Sequence, residues 1–134
     1  MEKGKIVQVI GPVVDVCFET GTLPSIKEAL TVENNGKRQV MEVAEHMGNR
    51  IVRCIMLSAS ERLSRGMEVT ATGEGIKIPV GEAVLGKMFN VLGETIDGTT
   101  IEEDCQKWVI HRQPPSFSEQ SSTVKVLETG IKVI

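Results

Sequence analysis

Tyrosine is absent from this 134-residue chain, and one tryptophan and three phenylalanines bring the aromatics to only 3%. So small a set weighs against a base-stacking platform of the kind that single-stranded nucleic-acid binders use. Excess positive charge is missing as well. The net charge is -3; residues 1–80 carry ten basic and ten acidic side chains, and residues 81–134 carry five and eight. Neither half makes a basic nucleic-acid surface. Cysteine is scarce: Cys17, Cys54 and Cys105 stand 37 and 51 residues apart, which suits neither a disulfide framework nor a paired metal-ligand motif. His46 and His111 are the only histidines, and no zinc-like spacing surrounds either. Inert thiols and no protein-ligated metal are therefore expected. No apolar run approaches the roughly 20 residues of a membrane span, and Met1-Glu2-Lys3-Gly4-Lys5 lacks the apolar stretch of a signal peptide. A cytoplasmic setting is the expectation.

What is present is β-sheet patterning. At 40% apolar content the chain is large enough for one domain with a real core. Residues 5–10 alternate, Gly11-Pro12 interrupts, and 13–18 resume the alternation. Residues 30–33 and 37–43 flank Asn34-Asn35-Gly36, where an Asn-Gly pair supplies the positive φ angles of a tight hairpin. Met47-Gly48-Asn49 reads as a turn before a cleanly alternating run over 50–56. Residues 66–72 and 76–80 predict a further strand pair about Gly73-Glu74-Gly75. Six or so short strands at this spacing point to a small closed barrel, because closure removes the exposed edges of a lone sheet.

The pattern changes after Pro79-Val80-Gly81. Val84, Leu85, Met88, Phe89 and Leu92 recur at helical spacing, with Gly93 where a C-cap would fall, so a short helix is predicted. Asp97-Gly98 marks a turn, Glu102-Glu103-Asp104 an exposed acidic loop, and 108–112 a brief extended piece ahead of Pro114-Pro115. Thr129 is a candidate N-cap for a second helix carrying Ile131 and Ile134 on one face, and that helix would be cut off after one turn. Residues 81–134 thus hold too few apolar elements to enclose a core and read as the start of a larger domain.

One short motif invites a catalytic reading. Residues 81–88 fit the phosphate-cradling pattern G-x-x-x-x-G-K, but Met88 stands where a Mg²⁺-binding hydroxyl is needed, and a thioether is a poor ligand for a hard cation. Val84 and Leu85 also replace the small residues such a loop requires. Packing accounts for these residues better than phosphate binding does. Ser58, Ser60 and Ser64 have no histidine near them in sequence. Met41, Met47, Met56, Met67 and Met88 read as core filling, and Trp108 as a packed side chain.

The order of these segments resembles a known family. Residues 4–16, GKIVQVIGPVVDV, look like the opening of the β subunit of F-type ATP synthases. The likeness continues through Met41-Glu42-Val43-Ala44-Glu45-His46, Arg65-Gly66-Met67-Glu68-Val69, Ile78-Pro79-Val80-Gly81 and Leu85-Gly86-Lys87-Met88-Phe89-Asn90-Val91-Leu92-Gly93-Glu94. It ends with Ile110-His111-Arg112 and residues 128–134, ETGIKVI. Thr95, Val109 and Gln113 depart from the family's usual residues. The resemblance implies a mainly β fold: a six-stranded barrel over about residues 1–80, followed over 81–134 by the truncated start of an α/β nucleotide-binding domain. It implies barrels of alternating α and β subunits joined in a hexameric crown, and a complex peripheral to the membrane that couples proton flow to ATP synthesis or hydrolysis. ATP, ADP and Mg²⁺ would be the cofactors of the full-length protein. The family's phosphate loop, metal ligand, catalytic acid and arginine all follow the helix near Thr129. No catalytic, cofactor-binding or metal residue is therefore expected within residues 1–134. The alternative is an independent barrel module that binds nucleic acid or protein.

Overall fold

The computed structural model describes residues 2–58, 62–102 and 104–126. Six strands form its body: β1 (Lys3–Ile10), β2 (Val13–Cys17), β3 (Glu28–Asn34), β4 (Lys37–Gly48), β5 (Ile51–Met56) and β6 (Glu68–Gly75). They close into a fully antiparallel barrel in the order β1-β2-β5-β4-β3-β6, with β6 pairing both β3 and β1.

Side-chain alternation sets which residues face inward. Ile6, Val14, Val16, Leu30, Val32, Met41, Val43, Val52, Cys54 and Val69 are buried and form one continuous core with Phe18. Their neighbours along each strand point outward, as a period of two requires. Phe18, just past β2, fills the barrel beneath β1 and dictates a residue there. A Cβ at Gly4 would lie 2.8 Å from Val16 Cγ1 and 2.9 Å from Phe18 Cζ, so only glycine fits. Bulges between Ile6 and Gln8 and at two places in β4 add the local twist that lets short strands coil into a closed cylinder.

The turns follow the expected chemistry. Asn35 and Gly36 have φ of 53° and 74°, both positive as a two-residue β3–β4 hairpin needs, and Asn49 and Arg50 do the same for β4–β5. The β4 strand runs on to Gly48, five residues beyond the sequence expectation, because its bulges absorb the irregular pairing of residues 44–48.

Two expectations are corrected. Residues 66–72 and 76–80 do not form a hairpin about Gly73-Glu74-Gly75. The β6 strand continues through these glycines with a register shift against β3 and Gly73 at φ 79°, and the buried Glu28 carboxylate accepts the Gly73 N–H at 2.9 Å and the Ser25 N–H at 2.8 Å, tying the strand end to β3. Strand β7 (Lys77–Pro79) instead pairs with β8 (Lys107–Val109) in a separate two-stranded sheet.

The helix expected over 84–92 is also absent. Only Glu82–Val84 form a 3₁₀ turn; Gly86 then takes φ 71°, and Phe89 bridges to Thr95 around a tight turn at Asn90. The apolar periodicity meets no packing surface: Leu85 is 74% exposed, Met88 59% and Val91 68%. An amphipathic pattern without a partner face gives a short helix little support, and the left-handed glycine ends it. The helix expected from Thr129, with Ile131 and Ile134, lies outside the described residues.

Candidate functional site

The barrel exterior carries the ordered chemistry of this chain, and the strand register fixes it in rows. In one row Gln8 on β1, Asp15 on β2, Arg53 on β5 and Glu45 on β4 are successive cross-strand neighbours. The Arg53 guanidinium donates from Nε to Asp15 Oδ1 at 2.8 Å and from Nη2 to Oδ2 at 2.9 Å. Its pKa is raised above the ordinary arginine value, first by that hydrogen bond and then by the Asp15 charge. Asp15 keeps only 6% of its surface exposed, so the fork replaces the water the carboxylate has lost.

The adjacent row is apolar. Ile10 pairs Val13, and Val13 pairs Ile55, across β1, β2 and β5. Ile10 is 55% exposed and Ile55 47%, with Val13 half-buried between them. On β4 the next position is Glu42, whose carboxylate meets His111 Nε2 at 2.9 Å. Three aliphatic side chains in register on a solvent-facing sheet form a patch that water solvates poorly. The signal for it was already in the alternation of residues 5–18 and 50–56, but which strands become neighbours is not, and the patch exists only through the β2–β5 pairing.

The barrel interior offers no reactive group. Cys54 is fully buried there, and burial, aided by the Asp15 charge, pushes its thiol up to about 12. Among the described residues no buried side-chain nitrogen or oxygen lacks a hydrogen-bond partner. Cys17 and Cys105 are half-buried, and no cysteine among the described residues is in a disulfide. His46 Nε2 lies 2.7 Å from the Pro24 carbonyl, which fixes the long β4 strand to the loop before β3. Among the described residues no group of three or more His, Cys, Asp or Glu side chains is placed to hold a metal ion.

Four backbone N–H groups of residues 81–88 are engaged within the chain. The N–H of Val84 donates to Gly81, that of Leu85 to Glu82 and that of Lys87 to Val84, all at the carbonyl, while the Met88 N–H donates to Asp97 Oδ2. Lys87 Nζ donates to the Thr100 carbonyl at 2.5 Å. The methionines divide: Met41 and Met56 fill the core and Met67 packs on it, whereas Met47 and Met88 are exposed, against the expectation for those two. Trp108 is 44% exposed and carries the Arg112 guanidinium 3.7 Å above its ring. Ser58 and Ser64 are exposed, while Ser60 and Glu103 lie outside the described residues.

A closed antiparallel barrel agrees with the β-barrel domain that a known family model describes. Residues 6–73 match the ATP synthase alpha/beta family, beta-barrel domain, a span that runs from β1 into β6. On that match over half of its length, the chain belongs to the ATP synthase alpha/beta family.

Proposed function

We propose that the chain is the N-terminal part of the β subunit of an F-type ATP synthase, and that its barrel is an assembly module packed between the barrels of two neighbouring α subunits. The observation that carries this reading is the exterior row Ile10, Val13 and Ile55. A closed barrel has no free strand edge, so it must join its neighbours through side chains on its outer faces. An in-register aliphatic row flanked by the Asp15–Arg53 pair has the make-up of an interface core with a polar rim.

On this reading residues 1–80 form the crown domain and 81–134 begin the nucleotide-binding domain. ATP, ADP and Mg²⁺ are bound and turned over by residues outside this stretch, and the complex sits at the cytoplasmic face of a membrane without the chain entering it. Resemblance over the whole sequence supports β over α: residues 4–16 and 85–94 follow the β-subunit pattern.

Sedimentation of the chain mixed with an α-subunit barrel domain tests the assembly role. A heterocomplex is expected, weakened at least about tenfold by Ile55→Glu, a change at an exposed site that leaves the core intact. No complex, or an equally tight one with the variant, overturns the reading. Calorimetry of the chain with Mg²⁺ and ATP should show no tight binding, and tight Mg²⁺-dependent binding would remove the claim that the nucleotide residues lie elsewhere.

A further inference from the structure

On the side of the barrel away from the apolar row, the outer face of β3, β4 and β6 and the small β7–β8 sheet border a cleft of about 330 Å³. Three cations from three separate strands line it: Arg38 on β4, Lys77 on β7 and Lys107 on β8. The cleft also contains two carboxylates, and both have partners. Glu74 is paired with Lys77, and Glu94 Oε2 accepts a hydrogen bond from Asn90 Nδ2 at 2.7 Å. Arg38 and Lys107 have no anionic partner among the described residues. Even Glu33, directly opposite Arg38 in the hairpin register, forms no ion pair with it. Three cations against two carboxylates leave the lining with a net of one positive charge, in a chain of net charge -3. Val40 and Leu92 give it an apolar wall.

We infer that this cleft is a binding site for a small organic phosphate, the phosphoryl group held by Arg38 and Lys107 and the organic body lying against Val40 and Leu92. The planar fork of arginine matches two phosphate oxygens at once, and the lysine adds a point charge. A phosphate monoester carries close to two negative charges at neutral pH, the charge that Arg38 and Lys107 face together. A volume of this size admits a phosphoryl group together with a body as large as one ring. The site is separate from residues 81–88, none of which lines the cleft.

Amide NMR titration of the chain with phenyl phosphate, and separately with inorganic phosphate, tests the inference. Saturable shifts confined to residues around Arg38, Lys77 and Lys107 are expected, with a dissociation constant on the order of 1 mM. Added salt should weaken the binding, because the cations are solvent-exposed. The double variant R38Q/K107Q should lose at least about tenfold in affinity, while K125Q, at an exposed site outside the cleft lining, should bind as the parent does. Both cleft side chains are exposed, and an unchanged spectrum away from the cleft shows that the variant folds. Shifts that do not saturate, that spread evenly over the surface lysines, or that persist in the double variant overturn the site. Inorganic phosphate binding as tightly as phenyl phosphate overturns the role of the apolar wall.

Discussion

Arg53 and Asp15 meet as direct cross-strand partners of β5 and β2, with two parallel hydrogen bonds joining the guanidinium to the carboxylate. The pair sits at the middle of the five paired positions that join β2 to β5, strands separated in sequence by β3 and β4, and both exterior rows depend on the register of that ladder. Asp15 is almost fully covered whereas about a third of the Arg53 side chain stays in solvent, which makes the two residues unequal.

That inequality gives the first prediction. Replacing Arg53 by Met strands a desolvated carboxylate, whereas replacing Asp15 by Asn leaves an exposed arginine that water can solvate and an amide oxygen that still accepts from it. Urea unfolding should place Arg53→Met below Asp15→Asn in midpoint. The reverse order would mean that Asp15 is not held as tightly as the geometry requires.

Gly4 and Phe18 give a second. With only 2.8–3.0 Å between a Cβ at position 4 and its neighbours on and after β2, Gly4→Ala must push either the Val16 methyl or the Phe18 ring, and both are enclosed. Overpacking of this kind costs about 1–3 kcal/mol. Phe18→Ala should cost about 3–5 kcal/mol by leaving a void in the barrel. Combining the two should restore part of the loss, since the ring is what the methyl strikes. A strictly additive double variant in chemical denaturation would show that the two residues do not press on each other.

Cysteine reactivity separates the interior from the surface. With its thiol pushed up to about 12, Cys54 is almost wholly protonated at pH 8, and it is shielded by the core as well. Cys17 and Cys105 are half-exposed. A maleimide at pH 8 should label Cys17 and Cys105 in the native protein and reach Cys54 only after unfolding, as peptide mapping would show. Native labelling of Cys54 at the rate of the other two would mean that the barrel opens readily.

Most of the barrel was legible in the sequence because its signals are local. Alternation at 5–10, 13–18 and 50–56 and the Asn-Gly turn at 35–36 each report on one strand or one hairpin. The failures came where a distant residue decides. Gly73 looked like a turn until Glu28, 45 residues earlier, supplied a carboxylate to its N–H, and residues 84–92 looked helical because periodicity does not reveal whether a packing face exists. The exterior row Ile10, Val13 and Ile55 was invisible for the same reason. Each residue is an ordinary outward position on its own strand, and only the β2–β5 crossover sets them side by side.

Asp97 supplies the last prediction, one of pH. Its Oδ1 accepts from the Thr99 hydroxyl at 2.6 Å and the Thr99 N–H at 3.0 Å, and its Oδ2 from the Met88 N–H at 3.0 Å. These bonds, the Thr99 hydroxyl foremost, lower its pKa from an ordinary 3.8 to about 2. Because the folded value lies below the unfolded one, the support Asp97 gives to the 88–99 turn is present in full above about 3.8 and is lost as the pH falls through about 2. Carboxyl carbon NMR should therefore titrate Asp97 near 2, and the Met88 and Thr99 amides should still be protected from exchange at pH 3. In Asp97→Ala both amides should lose protection at every pH while the barrel amides keep theirs, since the turn pairs Phe89 with Thr95 and contributes nothing to the barrel ladder. A carboxyl midpoint near 3.8 would show that the Asp97 hydrogen bonds do not persist in solution, and loss of protection in the barrel of the variant would show that the turn and the barrel unfold as one unit.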